Sequence, residues 1–219
     1  MKTIKAAIEV AGPLGFPSKM PGTSYGISAK TCITGGKLAV VPGSVCYDCY
    51  ALKANYMYPS VQQAHDKRIA GLDNPAWARA MIMLIKATHA RGTGRNGPID
   101  SGWHRWHDSG DLQSVLHLEK ICDVARGTPE IRHWLPTREL GIVQAYIAAG
   151  GVVPKNLVIR VSATMVDGPA TKAWPTTSGV HDKAKAKGRV CPAPTQDGKC
   201  GDCRACWNPK VKHVSYHLH

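Results

Sequence analysis

The strongest helical pattern in the chain lies between residues 74 and 92. Asn74-Pro75 is a typical helix start, because asparagine caps free backbone N–H groups and proline suits the first helical position. The apolar residues that follow recur at i, i+4, i+7 and i+8, which is one face of a helix: Trp77, Met81, Leu84 and Ile85. We predict that this helix ends near Arg91-Gly92. An earlier helix is predicted from Pro59 to Ala70.

The middle of the chain alternates between strand and helix patterns. Strands are predicted at 102–107, 130–137 and 156–164, and helices from Leu112 to about Arg126 and from Arg138 to Ala149. Short loops between alternating strands and helices imply parallel strands joined by right-handed crossovers. We therefore expect an α/β fold, namely a partial, open (β/α) barrel with irregular terminal segments that carry cysteines.

The flanking segments have weaker patterns. Residues 1–30 are rich in Gly, Pro and Ser and are expected to form an irregular arm, and residues 36–42 a short strand or extended link. Residues 167–189 are expected to form a loop. We expect one domain over residues 1–219. Its expected parts are an arm with a cysteine loop, a βαβαβ core and a C-terminal cysteine segment: residues 1–50, 102–164 and 189–219.

Composition supports a folded protein without a membrane segment. Hydrophobic residues make up 43% of the 219 residues and charged residues 20%, which is typical of globular domains. No apolar run is long enough to cross a membrane as a helix. Glu9 and Pro13 interrupt the N-terminal segment before a signal-peptide core could form. We expect a cytoplasmic protein with no membrane partner.

The net charge is strongly positive, at +13, with a sequence pI near 9.5. A basic excess of this size is typical of proteins that bind nucleic acid. Part of it could instead balance the negative charge of metal-bound thiolates, because the formal count treats every cysteine as neutral. Nucleic acid is therefore one candidate partner and a small molecule is another. The sequence does not fix the oligomeric state.

Three cysteines lie in the turn-rich segment 31–50. Cys46 and Cys49 form a C-x2-C pair, and Cys32 precedes them. Such a pair can bind one metal ion or two corners of one cluster, because a tight turn points both sulfurs the same way. Three thiolates on a 4Fe–4S cluster would leave one iron open for a small molecule. The alternatives are structural zinc, or a buried Cys32 with no ligand role.

Four more cysteines lie within sixteen residues near the end of the chain, in the order C-x8-C-x2-C-x2-C: Cys191, Cys200, Cys203 and Cys206. This spacing is tighter than that of typical zinc sites and predicts a second iron–sulfur cluster, with a zinc knuckle as the alternative. The two sets could also share one cluster. Cys122 falls on the apolar face of a helix and is expected to be a buried structural thiol.

An acidic, glycine-bearing turn follows the first predicted strand: Asp108, Ser109, Gly110 and Asp111. Residues at the carboxyl ends of parallel strands gather at one mouth of the fold. We expect this turn to meet residues 137–139 and 162–164, which follow the next two strands, and to bind a small molecule. Asp111 could instead cap the helix that begins at Leu112. Strand alternation also predicts His107 on the same face as Trp103 and Arg105.

These motifs together resemble a known family. KTC…GSVCYDCYA, WHDSGD and C…CGDCRACW are similar to the phage gene product 88 family of small, cysteine-rich bacteriophage proteins, over about Lys30 to Tyr216. More distantly, the C-x2-C-Tyr-Ala segment resembles the cluster loop of radical S-adenosylmethionine enzymes, which lies at the mouth of a partial (β/α) barrel. In those enzymes the first gap has three residues, whereas thirteen separate Cys32 from Cys46 here.

The resemblance implies that Cys32, Cys46 and Cys49 hold a cluster and that Asp108 to Asp111 face a cofactor, with S-adenosylmethionine as one candidate. We expect an iron–sulfur phage protein of the host cytoplasm, a redox or radical-type enzyme with a small-molecule pocket at the strand ends. The alternative is a non-enzymatic protein, stabilised by an iron–sulfur cluster or zinc, that binds a host protein or nucleic acid.

Overall fold

The computed structural model describes residues 1–95 and 97–218. The helices within these residues are α1 Ile4–Ala11, α2 Ile33–Leu38, α3 Pro59–Gly71, α4 Trp77–Arg91, α5 Val115–Gly127 and α6 Leu140–Ala148. The strands are β1 Thr23–Tyr25, β2 Thr93–Gly94, β3 Gly97–Pro98, β4 Trp103–Trp106, β5 Arg132–Thr137, β6 Leu157–Ser162, β7 Thr177–His181, β8 Arg189–Val190 and β9 His213–His217. None of the described helices has both the length and the apolar character needed to cross a bilayer.

Seven strands form one parallel sheet in the order β1-β4-β5-β6-β7-β9-β8. Its edge strands, β1 and β8, do not pair with each other in the described part of the chain, so the sheet is open. The remaining two strands, β2 and β3, form a separate antiparallel hairpin. The predicted α/β class with an open parallel sheet is confirmed. Its central elements follow in the order β4-α5-β5-α6-β6.

One face of the sheet is covered by helices. Helix α4 packs between α1 and α5, and α6 packs against α5. Trp77 of α4 meets Trp106 of β4 and Tyr25 of β1 at ring-centroid distances of 6.0 and 5.6 Å. All three side chains are fully buried. Burying large aromatic rings removes the most apolar area per residue from water, so this cluster anchors the helical layer.

The opposite face is covered by the segment that carries the C-terminal cysteines. Trp207 packs edge-on against Trp103 and Trp134, with ring centroids 5.7 and 5.1 Å apart, and its Nε1 donates a 2.9 Å hydrogen bond to the carbonyl of His104. Arg160 of β6 also points to this side. Its guanidinium donates to the carbonyls of Ala205, Cys206 and Asn208.

Three predicted helix starts were wrong by two to three residues. Helix α6 begins at Leu140 and not at Arg138. Helix α4 begins at Trp77, because the side chain of Asn74 accepts a hydrogen bond from the Ala76 N–H in a turn that precedes the helix. Helix α5 begins at Val115, where Ser114 is the N-cap and its hydroxyl accepts from the His117 N–H at 3.1 Å. Asp111 is therefore not the cap of α5.

The flanking segments are more regular than predicted. Residues 1–30 contain α1 and β1. Helix α2, at residues 33–38, overlaps the start of the segment 36–42, which was expected to be a strand or extended link. The predicted loop 167–189 contains β7, and the basic C-terminal segment contains β9. These strands are held by pairing with distant strands, which a local pattern does not reveal.

Candidate functional site

The carboxyl ends of β4 and β5 are joined through Asp111. One carboxylate oxygen accepts hydrogen bonds from the Thr137 hydroxyl at 2.6 Å and the Leu112 N–H at 2.7 Å, and the other accepts from the Arg138 N–H at 2.8 Å. Burial raises the pKa of Asp111 to about 6, although these hydrogen bonds act in the opposite direction. Both oxygens are occupied, so Asp111 holds two strand ends together.

Asp108 is directed towards β1. Its Oδ2 accepts a hydrogen bond from the Ser24 hydroxyl at 2.9 Å, while Oδ1 is buried against Gly26 and has no hydrogen-bond partner among residues 1–95 and 97–218. The Tyr50 hydroxyl donates to the Asp108 carbonyl at 2.7 Å. Asp108 thus lies beside the segment of Cys46 and Cys49. Its role toward a small molecule stays a prediction.

Ser109 and Gly110 fix the same turn to the segment after β1. The Ser109 hydroxyl donates to the Ile27 carbonyl at 2.7 Å, and Oγ lies 3.2 Å from Nε2 of His65. Gly110 has a φ of 73°, and a Cβ atom there would lie 2.4 Å from Cγ1 of Ile27. Only glycine combines this backbone conformation with such a close approach.

The N-terminal cysteine segment lies across the ends of β5 and β6. Both carboxylate oxygens of Glu139 accept hydrogen bonds from Thr34, one from its N–H at 2.7 Å and one from its hydroxyl at 2.8 Å. The Val45 N–H donates to the Thr164 carbonyl at 3.0 Å. Of the three strand ends that were predicted to share one mouth, the first meets the second through Asp111, and the second and third each contact this segment. We call the space that they border the mouth.

The three N-terminal cysteines are neighbours at the mouth. A Cβ atom on Gly35 would lie 3.5 Å from Sγ of Cys46 and 3.6 Å from Sγ of Cys32, so both sulfurs border the space above this glycine. Burial, together with smaller contributions from the charges of Asp111, Cys49 and Cys46, raises the pKa of Cys32 to about 12. The pKa of Cys46 is also raised, chiefly by burial, and Cys49 contributes.

The four C-terminal cysteines form a second group, between β8 and β9. Burial raises the pKa of Cys200, and the nearby Cys191 and Cys203 raise it further. Burial raises the pKa of Cys206 to about 12, although its contact with Tyr216, whose hydroxyl lies 3.1 Å from Sγ, acts in the opposite direction. All eight cysteines of the chain are free thiols, and Cys122 is fully buried in the core, as predicted.

Neither group is arranged to hold a single metal ion. Among the described residues, no set of three or more His, Cys, Asp or Glu side chains has the geometry for one ion. Thiolates on one zinc ion each lie about 2.3 Å from the metal, which brings their sulfurs close together. Cysteines of an iron–sulfur cluster bind separate iron atoms, which requires neighbouring but more widely spaced sulfurs.

Three arginines of the site have no motif in the sequence. Arg138 follows β5 at the mouth, and Arg160 holds the C-terminal cysteine segment through the carbonyls described above. Arg105 lies near Asp108 and Cys206, with its guanidinium 4.7 Å from the ring centroid of Trp134. Burial lowers the pKa of Arg105, but nearby groups that include Asp108 and Cys206 outweigh burial and raise it.

His107 is not on the predicted face. Its φ of 52° breaks the alternation of β4, and its ring lies 5.4 Å from that of His117 on α5, in the helical layer. His104 and His133 form a second buried pair, with ring centroids 5.4 Å apart. Burial lowers the pKa of all four imidazoles, so each is neutral in the folded protein at neutral pH.

Comparison with known proteins identifies the family of the chain. No curated protein matches it, and no solved structure does. The family model described as Gene product 88 matches residues 2–209, which include both cysteine groups and the Asp108–Asp111 turn. The chain belongs to the Gene product 88 family.

Proposed function

We propose that this protein binds iron–sulfur clusters through its two cysteine groups, and that the N-terminal group is the functional centre. The observation that carries this proposal is the position of Cys32, Cys46 and Cys49, which are mutual neighbours at the carboxyl ends of parallel strands. Active sites of open α/β folds lie at this edge. A reducing cytoplasm, where we expect the protein to work, keeps such thiols available.

The number of thiols assigns different roles to the two groups. Three cysteines on a 4Fe–4S cluster leave one iron without a cysteine ligand, whereas four close the cluster. A bound cluster at the mouth would supply a one-electron redox centre with a position for a small molecule. S-adenosylmethionine is one candidate ligand, and radical chemistry is one candidate use. The C-terminal cluster would chiefly hold residues 191–206 against the sheet.

The direct test is metal analysis of anaerobically purified protein, by iron and sulfide content and by electron paramagnetic resonance after reduction with dithionite. We expect a brown protein that bleaches on reduction. Cys46→Ser/Cys49→Ser should remove the iron of the N-terminal site, and Cys203→Ser/Cys206→Ser that of the C-terminal site. Cys122→Ala is the matched control, because it removes a buried thiol outside both groups and should leave the iron content unchanged.

Two results would contradict the proposal. Colourless protein with stoichiometric zinc would replace the clusters by structural zinc sites. An iron content that does not change in the Cys46→Ser/Cys49→Ser variant would mean that these residues are not ligands. Adding S-adenosylmethionine to the reduced protein tests the narrower proposal, because neither binding nor cleavage would remove radical chemistry and leave the clusters.

A second candidate function is nucleic-acid binding. It is favoured by a run of exposed basic side chains next to β8: Lys183, Lys185, Lys187 and Arg189. Phosphate contacts make binding strongly salt-dependent. A gel shift of single- or double-stranded DNA or RNA that weakens between 50 and 200 mM salt, and that is lost when these four residues are changed to Gln, would support it. No shift at 50 mM salt would exclude this surface as a nucleic-acid site.

A further inference from the structure

The charged side chains at the mouth differ in how they are bonded. The three carboxylates accept hydrogen bonds from the protein: Asp111 from Thr137, Glu139 from Thr34, and Asp108 through one of its oxygens. A carboxylate that is already bonded in this way has little capacity left for a ligand. This bonding argues against recognition of a cationic group, such as an amine, by Asp111 or Glu139. Oδ1 of Asp108 is unbonded within the described residues, but it is buried against Gly26.

Arg138 is different. Its backbone N–H donates to Asp111, which fixes the start of the side chain at the end of β5. Its guanidinium makes no hydrogen bond and no ion pair within residues 1–95 and 97–218, and its Nε is buried without a partner. A guanidinium has five N–H donors, and leaving a buried donor unbonded costs about 1–3 kcal/mol. An acceptor at this point would therefore be stabilising.

Arg138 lies beside the N-terminal cysteine segment, because the next residue, Glu139, is hydrogen-bonded to Thr34. The charge of Arg138 acts on Cys32 and Cys46, lowering both thiol pKa values against the effect of burial. The neighbouring Glu139 is directed at Thr34 and so does not neutralise Arg138 by hydrogen bonding. The mouth thus presents one cation with free donors next to three thiols.

We infer that the mouth binds a small molecule that carries a carboxylate or phosphate group, and that Arg138 binds this oxyanion. Arginine suits both groups because its parallel N–H donors match two oxygens of either one. The inference rests on the proposed function for the cluster beside it, since the ligand would place a second atom near the open iron. The contact between Arg138 and the oxyanion itself requires no metal.

The test is calorimetric titration of anaerobic protein of measured iron content with two probes, citrate for carboxylates and pyrophosphate for phosphates. We expect one probe to bind at one site per chain. Arg138→Met should weaken binding roughly tenfold to a hundredfold, because it removes charge-assisted hydrogen bonds. The affinity of Arg138→Lys should lie between those of the wild type and Arg138→Met, because lysine keeps the charge and loses the paired donors. Arg132→Met, which removes an exposed arginine at the other end of β5, should bind like the wild type.

The outcomes separate this inference from the proposed function. If the protein contains no iron but binds a probe through Arg138, the oxyanion site is supported and the cluster proposal is wrong. Iron-containing protein that binds neither probe would overturn the oxyanion site, as would equal binding by wild type and Arg138→Met. In those cases a loss of iron from Arg138→Met would assign the arginine to balancing thiolate charge. Circular dichroism of each variant tests whether it folds. If Arg138→Met does not fold, the comparison of wild type with Arg138→Lys tests the oxyanion site instead.

Discussion

Glu139 and Thr34 are 105 residues apart in sequence and are joined by two hydrogen bonds, at 2.7 and 2.8 Å. Thr34 lies in α2, the helix that begins directly after Cys32, whereas Glu139 follows β5. Glu139 is only 6% exposed, so both bonds are largely shielded from water. This pair therefore positions the first cysteine over the end of the sheet.

Removing this link should loosen the N-terminal cysteine segment. Glu139→Ala leaves the Thr34 N–H and hydroxyl without partners, and we expect the free energy of unfolding to fall by about 1–3 kcal/mol. Cys32 should also react faster with a thiol reagent, which mass spectrometry of the labelled peptide would measure.

Glu139→Gln is the matched control for that prediction. The amide can accept from the Thr34 N–H with its oxygen and donate to the Thr34 hydroxyl with its nitrogen, so both bonds can persist. We expect near-wild-type stability and labelling. Equal losses in the two variants would mean that the negative charge, and not the bonding geometry, is what matters.

The turn after β4 should not tolerate a side chain at Gly110. Gly110→Ala combines a left-handed backbone, at φ 73°, with a clash against Ile27. Gly102→Ala has the unfavourable backbone conformation without a clash, because Gly102 has a φ of 92° and no atom lies within 4 Å of the added Cβ. We expect about 1–2 kcal/mol of destabilisation from the backbone alone and roughly 1–3 kcal/mol more from the clash. Chemical denaturation of both variants measures the difference, and equal losses would argue against close packing of this turn.

Arg160 should be essential for the C-terminal cysteine segment. It is fully buried, and it donates to the carbonyls of Ala205, Cys206 and Asn208 at 2.8–2.9 Å. Arg160→Met leaves these acceptors without a donor, and we expect about 3 kcal/mol or more of lost stability. Denaturant unfolding and thiol labelling of Cys206 would measure the effect, with exposed Arg132→Met as the control. An unchanged labelling rate would mean that Trp207 alone holds the segment.

The buried imidazoles should make the fold sensitive to acid. Burial lowers the pKa of His117 and His133 from 6.5 to about 3, and that of His104 and His107 well below 6.5. Because the unfolded chain binds these protons more readily, the stabilisation is present above pH 6.5 and is lost as the pH falls below it. Each histidine should contribute about 1.4 kcal/mol per pH unit in that range. Asp111, whose pKa is raised, acts in the opposite sense between pH 3.8 and about 6.

This prediction is checked by measuring the free energy of unfolding between pH 7 and pH 5. His133→Gln should reduce the slope by the share of one histidine, because the neutral amide binds no proton in either state. A slope that does not differ between wild type and this variant would mean that His133 is charged, or accessible to protons, in the folded protein.

Local pattern was sufficient for the parts of the fold in which each element carries its own signal. Strand β6 has a β-branched, apolar centre, and α4 has one clear apolar face, so both were predicted from sequence. Strand β1 has three residues with no alternation, and β9 is rich in polar residues and histidine. Both are stabilised by neighbours far away in the chain, which no local window contains.

The same distinction applies to the site. The two cysteine groups were chosen as candidates by their spacing, and the Asp108–Asp111 turn by its position after a strand. The roles of Glu139, Arg138 and Arg160 depend on which loop lies against which strand end, and that is a property of the tertiary structure. His107 was placed on the wrong face because its positive φ interrupts the strand alternation, and histidine adopts such a φ too rarely for the residue type to predict it.

The position of β9 between β7 and β8 has a consequence for the order in which the molecule is assembled during synthesis. Among the strands of the described residues, β9 is the one partner of β8, so residues 189–190 cannot join the sheet until residues 213–217 have left the ribosome. The loop that carries Cys191 to Cys206 is therefore closed at both ends only in the last stage of folding. The first cysteine group, whose partner strands end by residue 164, can form earlier. A chain stopped before β9 should retain the first group and lose the second.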